Sequence, residues 1–394
     1  MYTIVDNKYD ISPDLLFGLG KRDGNTKRSF LFLSKLLGKH LAVNPDVVKA
    51  TGFLLSSLKY GFDNRAYISC IKENIRPTYD QYAQYENVLV IGFCETATAL
   101  GMSVAASIPG AHYICTTREP LSEMRQLLNF QEPHSHASTH CLYSDTLILD
   151  DFKEMVLVDD EITTGRSLIN LIREIVNQSC VKVFSVMTIL DWRNEEMREM
   201  FETVKRELGI EIKVYSLLSG CIQNEDHTEY KNTPFVEVTK PANALSLQIF
   251  PRMDIRTADD KITSYVQHLG RWGISYDEIQ QIEELAYTTA QSIKPQIQGC
   301  RSLLVLGHGE NIYIPSRVAA YLQEMGFDVQ FKTTSRTPIY CDQIYIHEGL
   351  VFDDRGTKYH FYNKTEAETL DRVIMLADTP FQLKICENII VFNL

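Results

Sequence analysis

Residues 155–167, MVLVDDEITTGRS, constrain this chain more than any other stretch. Four apolar residues, Met155 to Val158, run straight into two adjacent carboxylates, Asp159 and Asp160. A short turn follows, then Thr163-Thr164-Gly165-Arg166-Ser167, then the amphipathic run LINLIREIV. An unbroken apolar run suits a strand buried on both faces of a parallel sheet. Ligands of open α/β sheets sit beyond the carboxyl ends of such strands. Two neighbouring carboxylates repel each other and seek solvent, cations or donors. Vicinal sugar hydroxyls are suitable donors, and Mg²⁺ would relieve the repulsion. The segment after them opens a helix, whose free N–H groups and positive dipole end bind phosphate. Gly165 lets the backbone approach the anion, and Thr163, Thr164 and Ser167 add hydroxyls. Arg166 either adds charge or points to solvent. The order of parts predicts a site for a sugar phosphate, held by its hydroxyls and its 5′-phosphate together. A capped strand–turn–helix would also use Asp and Thr, but it would not demand this order and spacing of acids, loop and flanking elements.

A second constellation precedes it. Val88-Leu89-Val90-Ile91 reads as another buried parallel strand, ending in Gly92-Phe93-Cys94-Glu95-Thr96-Ala97-Thr98 before a small-residue helix, ALGMSVAASI. Glycine after a strand, then small and hydroxylated residues before a helix, makes either an anion-binding nest or a tight capped turn. Residues 112–118, HYICTTR, read as a third strand, ending in Thr116, Thr117 and Arg118. Arg118 is either a surface residue or a bidentate phosphate contact. Upstream, Phe30 to Leu33 reads as a strand, followed by Lys35, Lys39 and His40. These three form a solvated face or turn, or a basic rim over an anionic ligand. The first twenty residues read as a poorly defined lead, and residues 46–60 as a helix.

VLVDDEITTG resembles the 5-phosphoribosyl-1-pyrophosphate (PRPP) signature of type I phosphoribosyltransferases. The resemblance implies that Asp159 and Asp160 hold the ribose hydroxyls and that Thr163, Thr164, Gly165, Arg166 and Ser167 hold the 5′-phosphate. Mg²⁺ would bind through the two acids, indirectly or through PRPP. The family has a pyrophosphate loop one or two strands earlier, which implies that role for Glu95, Thr96, Ala97 and Thr98, with Arg118 beside them. Glu161 stands where many relatives have an apolar residue, and it reads as a solvated turn residue. Residues 130–143 take the place of the family's hood over PRPP. His134, His136 and His140 would then touch pyrophosphate or act as acid. Their H-x-H-x3-H spacing also meets three zinc ligands, though no fourth is evident. The strand VKVFSVMTIL ends in Asp191, Trp192 and Arg193. Asp191 and Trp192 either face a planar acceptor or serve as helix cap and core.

The chain has 394 residues and 44% hydrophobic content, enough for two domains with real cores. Net charge is −12 with no long basic stretch, which argues against nucleic acid as the main partner. No apolar run approaches a membrane span, and the N-terminus has no basic start and apolar core. Nine scattered cysteines without a C-x-x-C pair fit a reduced, cytoplasmic protein. Irregular patterning across 222–260 places a boundary there, giving a transferase domain over 1–225 and a second α/β domain over 226–394. The fold expected is a parallel-sheet, Rossmann-like type I phosphoribosyltransferase domain with that second domain behind it.

The second domain echoes the first. VLVIGFCETATALGMSVAASIPGAHYICTTREP and LLVLGHGENIYIPSRVAAYLQEMGFDVQFKTTSRTP share a strand, Gly-x-x-Glu, a helix with Ala-Ala, and a strand ending in Thr-Thr near an Arg. Either the unit is duplicated, or two βαβ units are alike by chance. Asp353-Asp354 is followed by Arg355-Gly356-Thr357, which reads as a hairpin turn, so no second PRPP site is expected. As a whole the chain resembles the phosphoribosyltransferases of tellurium-resistance-type operons, whose C-terminal part is the TRSP domain. The carriers are KRSFLFLSKLLGKH, GFCETATALG, the signature, LDWR and TTSRTP, with Ser335-Arg336-Thr337-Pro338 at the name motif, Ser and Thr exchanged. This implies PRPP-dependent transfer of a phosphoribosyl group to a small-molecule, base-like acceptor. A PRPP-binding regulator without turnover is the alternative, and a homodimer is possible under either reading. The role implied for Gly307 to Asn311 and Arg336 is to bind the acceptor, close the site or form an interface.

Overall fold

The computed structural model describes residues 2–21, 30–80, 82–131, 139–222, 235–341 and 344–394. Among them, one sheet runs in the order Tyr2–Asn7, Glu211–Ile222, Val183–Asp191, Glu154–Ile162, Val88–Gly92, His112–Cys115, Ile274–Ser275. The inner strands are parallel and the two edge strands antiparallel. Val88 to Ile91 and Met155 to Val158 are buried throughout, as the continuous apolar runs require when helices cover both faces. The opening residues form an edge strand against Glu211–Ile222. That partner lies far along the chain, so nothing local announced the pairing.

The signature strand outruns one neighbour. Its pairing with Val88–Gly92 ends at Gly92 with Val158. On the other side it continues, with Asp159 opposite Thr188 and Ile162 opposite Asp191. Asp159 to Ile162 therefore border a crevice at the carboxyl end of the sheet, where ligands of such sheets lie.

A second, all-parallel sheet runs Ala244–Ser246, Ile389–Asn393, Arg372–Ala377, Ser302–Gly307, Asp328–Thr333. Four of these strands, Ser302–Gly307, Asp328–Thr333, Arg372–Ala377 and Ile389–Asn393, repeat the order of Val88–Gly92, His112–Cys115, Glu154–Ile162 and Val183–Asp191, whereas Ala244–Ser246 takes the place of Glu211–Ile222 but comes before the other four in the chain. The surroundings repeat too. A hairpin (Phe17–Gly20 with Leu31–Ser34; Arg252–Arg256 with Ile262–Val266) precedes a helix (Pro45–Tyr60; Tyr276–Ile293) in each half. Another hairpin (Gln126–Gln131 with Thr139–Tyr143; Gly349–Asp354 with Thr357–Tyr362) follows the Thr-Thr strand end. Matching order, direction and accessory hairpins favour duplication over chance. The second half lacks a counterpart of the helix Arg166–Gln178: residues 378–388 are irregular.

The expected 222–260 linker is partly built structure. Ala244–Ser246 joins the second sheet, and Arg252–Arg256 starts a hairpin. Farther on, Ile274–Ser275 crosses to the first sheet. These strands are short and polar, so their pattern did not stand out.

Candidate active site

Two loops stand at the carboxyl ends of the adjacent parallel strands Glu154–Ile162 and Val88–Gly92. The first follows the signature strand. Gly165 has φ 73° and ψ 6°, immediately before the helix Arg166–Gln178. A Cβ there would lie 2.4 Å from the ring of Phe201. Glycine is thus required twice, for the left-handed turn and for the packing beneath it. Thr163, Thr164 and Ser167 are half-buried and Arg166 is exposed. The Thr164 hydroxyl accepts from the Arg166 N–H at 3.4 Å.

Asp159 and Asp160 are half-buried, and Asp159 Oδ1 accepts the Asp160 N–H at 3.0 Å. Burial first, then the charge of Asp160, push the Asp159 carboxyl well above the usual carboxylate range. Such crowding is relieved by hydroxyl donors or a divalent cation, so the acid pair fits Mg²⁺, held directly or through a bound phosphorylated sugar. Glu161 lies in the strand opposite Leu190 and is half-buried. The solvated turn expected for it is not what forms, because the strand continues through Ile162.

The second loop follows Val88–Gly92. Cys94 N–H donates to Thr116 Oγ1 at 2.9 Å, and Thr116 N–H donates to the Gly92 carbonyl at 2.9 Å. The Cys94–Glu95 peptide is cis. The helix Ala97–Ala106 starts without a side-chain cap. Glu95, Thr96, Ala97 and Thr98 are all buried. Among the described residues, the N–H groups of Glu95 and Thr96 meet no acceptor, which suits an anion at this helix start. Lys39 Nζ donates to Thr96 Oγ1 at 2.5 Å and lies 3.6 Å from Glu95 Oε2. Of the three basic residues upstream, Lys39 thus forms the rim of this loop. Lys35 instead donates to the Asp14 carbonyl, and His40 lies 3.3 Å from Ser335 Oγ.

Arg118 stands at the end of the next strand, its guanidinium 3.4 Å from His140 Nε2. His140 is fully buried and pairs with Phe130 in the hairpin, with Nδ1 3.0 Å from Thr116 Oγ1 and 3.5 Å from Cys94 Sγ. Through these contacts it braces the second loop. His134 and His136 lie outside the described residues. The hairpin itself packs against the helix Arg166–Gln178, which sets it beside the Thr163–Ser167 loop. Among the described residues no cluster of His, Cys, Asp and Glu could hold a metal ion in the manner of a zinc site.

At the Asp191–Trp192 strand end, Trp192 lies in the core, but Asp191 is not the helix cap. Arg193 grips the Asp191 carboxylate through both oxygens at 2.9 Å, and Arg198 adds a contact at 3.1 Å. Burial alone would raise that carboxyl, but Arg193 and then Arg198 hold it below the ordinary range. Trp192 is 5% exposed, stacked on Phe32 at 5.0 Å and edge-on to Tyr2 and Phe17. The helix cap is Asn194, whose side chain accepts from Met197 N–H. In this arrangement neither Asp191 nor Trp192 is presented to an acceptor. The stacking partners come from a hairpin and an edge strand distant in sequence, so the strand end alone could not show them.

The second half brings Ser335, and the Arg336 and Glu310 already singled out in the sequence, against these loops. Glu95 accepts from Ser335 Oγ and Arg336 N–H, each at 3.3 Å. Glu310 accepts from Thr117 Oγ1 at 3.2 Å. The repeated Gly-x-x-Glu and Thr-Thr…Arg patterns were the available signal.

A family model described as phosphoribosyl transferase matches residues 16–221. The chain belongs to that family. A second model, the TRSP domain C-terminal to this transferase, matches residues 268–391. The phosphoribosyltransferase is therefore an enzyme with a TRSP domain behind its catalytic half. Among solved structures it is similar to adenine phosphoribosyltransferase from Rhodothermus marinus, 12% identical over 52% of this chain and 95% of that one, TM-score 0.30. It is also similar to the Giardia lamblia enzyme, 15% identical over 52% and 94%, TM-score 0.32. The Trypanosoma brucei enzyme is 12% identical over 54% and 83%, TM-score 0.33. No curated protein matches the chain. Among the described residues no helix is long and apolar enough to cross a membrane.

Proposed function

We propose that this phosphoribosyltransferase uses PRPP and transfers its 5-phosphoribosyl group to a nitrogenous, base-like acceptor, releasing pyrophosphate. One observation carries the reading: an acid pair with a Gly165 helix start, and a second anion-ready loop, lie at the carboxyl ends of two adjacent parallel strands. A ligand with phosphates at both ends of a ribose matches that layout.

In this reading the Thr163–Ser167 loop anchors the 5′-phosphate, and Asp159 and Asp160 hold the 2′- and 3′-hydroxyls. Glu95 to Thr98, with Lys39 and Arg118, receive the pyrophosphate. Mg²⁺ would supply charge neutralisation between the acids and the phosphates. Breaking the C1–oxygen bond leaves positive charge on the sugar and negative charge on pyrophosphate. The chain's contribution is to hold both ends still, place carboxylates near the first charge and cations near the second, and align the acceptor. The acceptor contact is left to groups other than the occupied Asp191 and the buried Trp192.

Calorimetric titration with PRPP and Mg²⁺, followed by a pyrophosphate-release assay over a panel of bases, tests the proposal. Wild-type chain should bind PRPP and release pyrophosphate with at least one base, and Asp159→Asn with Asp160→Asn should abolish binding. Intact PRPP binding in that double variant overturns the site. Tight binding with no release from any base favours a PRPP-sensing regulator.

A further inference from the structure

Glu95 and Glu310 each stand three residues after a loop glycine, Gly92 and Gly307. Their partners are exchanged between halves. Glu95 takes Ser335 Oγ and Arg336 N–H from the second half, with Lys39 from its own at 3.6 Å. Glu310 takes Thr117 Oγ1 at 3.2 Å and Arg118 N–H at 3.5 Å from the first half, with Arg271 from its own at 2.9 Å.

The exchange extends outward. Lys39 and Arg271 each follow a glycine at positive φ, Gly38 at 71° and Gly270 at 79°. The Gly38 carbonyl accepts from Thr333 N–H at 2.8 Å, and the Gly270 carbonyl from Cys115 N–H at 2.9 Å. Val43 then bridges Phe331, while Ile274 pairs with Tyr113. In each case a segment just before one half's first long helix lines the edge strand of the other half. Contacts given by one half are returned by the other, which is the pattern of an isologous two-fold interface, here built within one chain.

The halves are not equal in chemistry. The second has no acid pair followed by a Thr/Gly loop. Beside its loop, the rings of Tyr359, Phe381 and Phe352 crowd His308 at 4.4, 5.1 and 6.1 Å. That space is filled, so the second half contributes to the first site rather than owning one.

We propose that the TRSP half acts as a built-in partner subunit, and that Glu310 is a positioning residue for the leaving-group side of the transferase site. It fixes the Thr117–Arg118 strand end, and through it the place where Arg118 meets pyrophosphate. The inference rests on the PRPP reading above. Glu310 is buried and its bonds are to a charged acceptor, the stronger kind. Arg118 carries a rigid bidentate fork, which tolerates little displacement.

The test is calorimetric titration of the full chain with PRPP and, separately, with ribose 5-phosphate, which lacks the pyrophosphate. Glu310→Gln keeps the shape, and Arg271 keeps Glu119 at 3.3 Å and Asp378 at 3.8 Å as counter-charges. It should weaken PRPP about tenfold, a change of the size expected for one charged hydrogen bond, and leave ribose 5-phosphate unchanged. Thr117→Val, which removes one donor to Glu310, should show the same selective loss to a smaller degree and decides the matter if Glu310→Gln does not fold. Unchanged PRPP affinity overturns the proposal, as does an equal loss for both ligands, the mark of a merely structural role. If wild-type chain binds neither ligand, the PRPP reading fails and this proposal with it. If wild type binds both and the variants match it, the proposal alone falls.

Discussion

Replacing Gly165 by alanine should damage the fold and the proposed phosphate site together, and the two contributions can be separated. The backbone at Gly165 is left-handed, which costs an alanine about 1–2 kcal/mol. The new Cβ would lie 2.4 and 2.6 Å from two ring carbons of Phe201. Phe201 is 2% exposed, so relieving that overlap inside a packed core costs about 1–3 kcal/mol more. The sum, about 2–5 kcal/mol, is a large share of a typical net stability of about 5–15 kcal/mol. Phe201 belongs to the helix Glu195–Leu208, so the strain pushes the loop, with Thr163 and Thr164, away from the helix beneath. Denaturant unfolding should show a lower midpoint at unchanged slope, and PRPP affinity should fall at least about tenfold. In a Phe201→Ala background the overlap is gone and the same substitution should cost only the backbone share, about 1–2 kcal/mol. A loss below about 0.5 kcal/mol in the native background, or equal losses in both, refutes the reasoning.

Asp159 gives a pH prediction. Its carboxyl is raised by burial and then by Asp160, so the folded ligand-free chain holds a proton that the unfolded chain has released. Stability therefore falls as pH rises from the ordinary carboxylate value through the raised one. Asp159→Asn should melt higher than wild type above that window, with the gap closing as pH falls. Thermal melts over a pH series check this, and a variant less stable at every pH contradicts it. Trp192→Ala, which empties the stack on Phe32, should cost about 3–5 kcal/mol while leaving PRPP affinity intact. Loss of acceptor use without loss of stability would return Trp192 to the acceptor.

The signature was legible because its information is local. Four apolar residues, two acids, a glycine and a helix start need only their own order to declare a buried strand, a left-handed turn and the helix after it. The turn at Arg355–Gly356 was legible for the same reason, since both residues take positive φ at the end of a hairpin. Asp191 and Trp192 were ambiguous because cap, core and ligand contact draw on the same residue types. Their surroundings decided between them: Arg193 and Arg198 on one, Phe32, Phe17 and Tyr2 on the other.

By itself, then, the sequence determined a phosphoribosyltransferase with a TRSP domain, and a second half with a faint echo of the first. Only the tertiary structure decided what the echo is. Strand order and returned contacts cannot be read from one segment at a time, because they join residues from tens to hundreds of positions apart. Glu95 with Arg336, and Glu310 with Arg118, become neighbours only when both sheets have formed and docked. Local patterning is enough to build a strand end. Where that end is held depends on whichever distant carboxylate is buried against it.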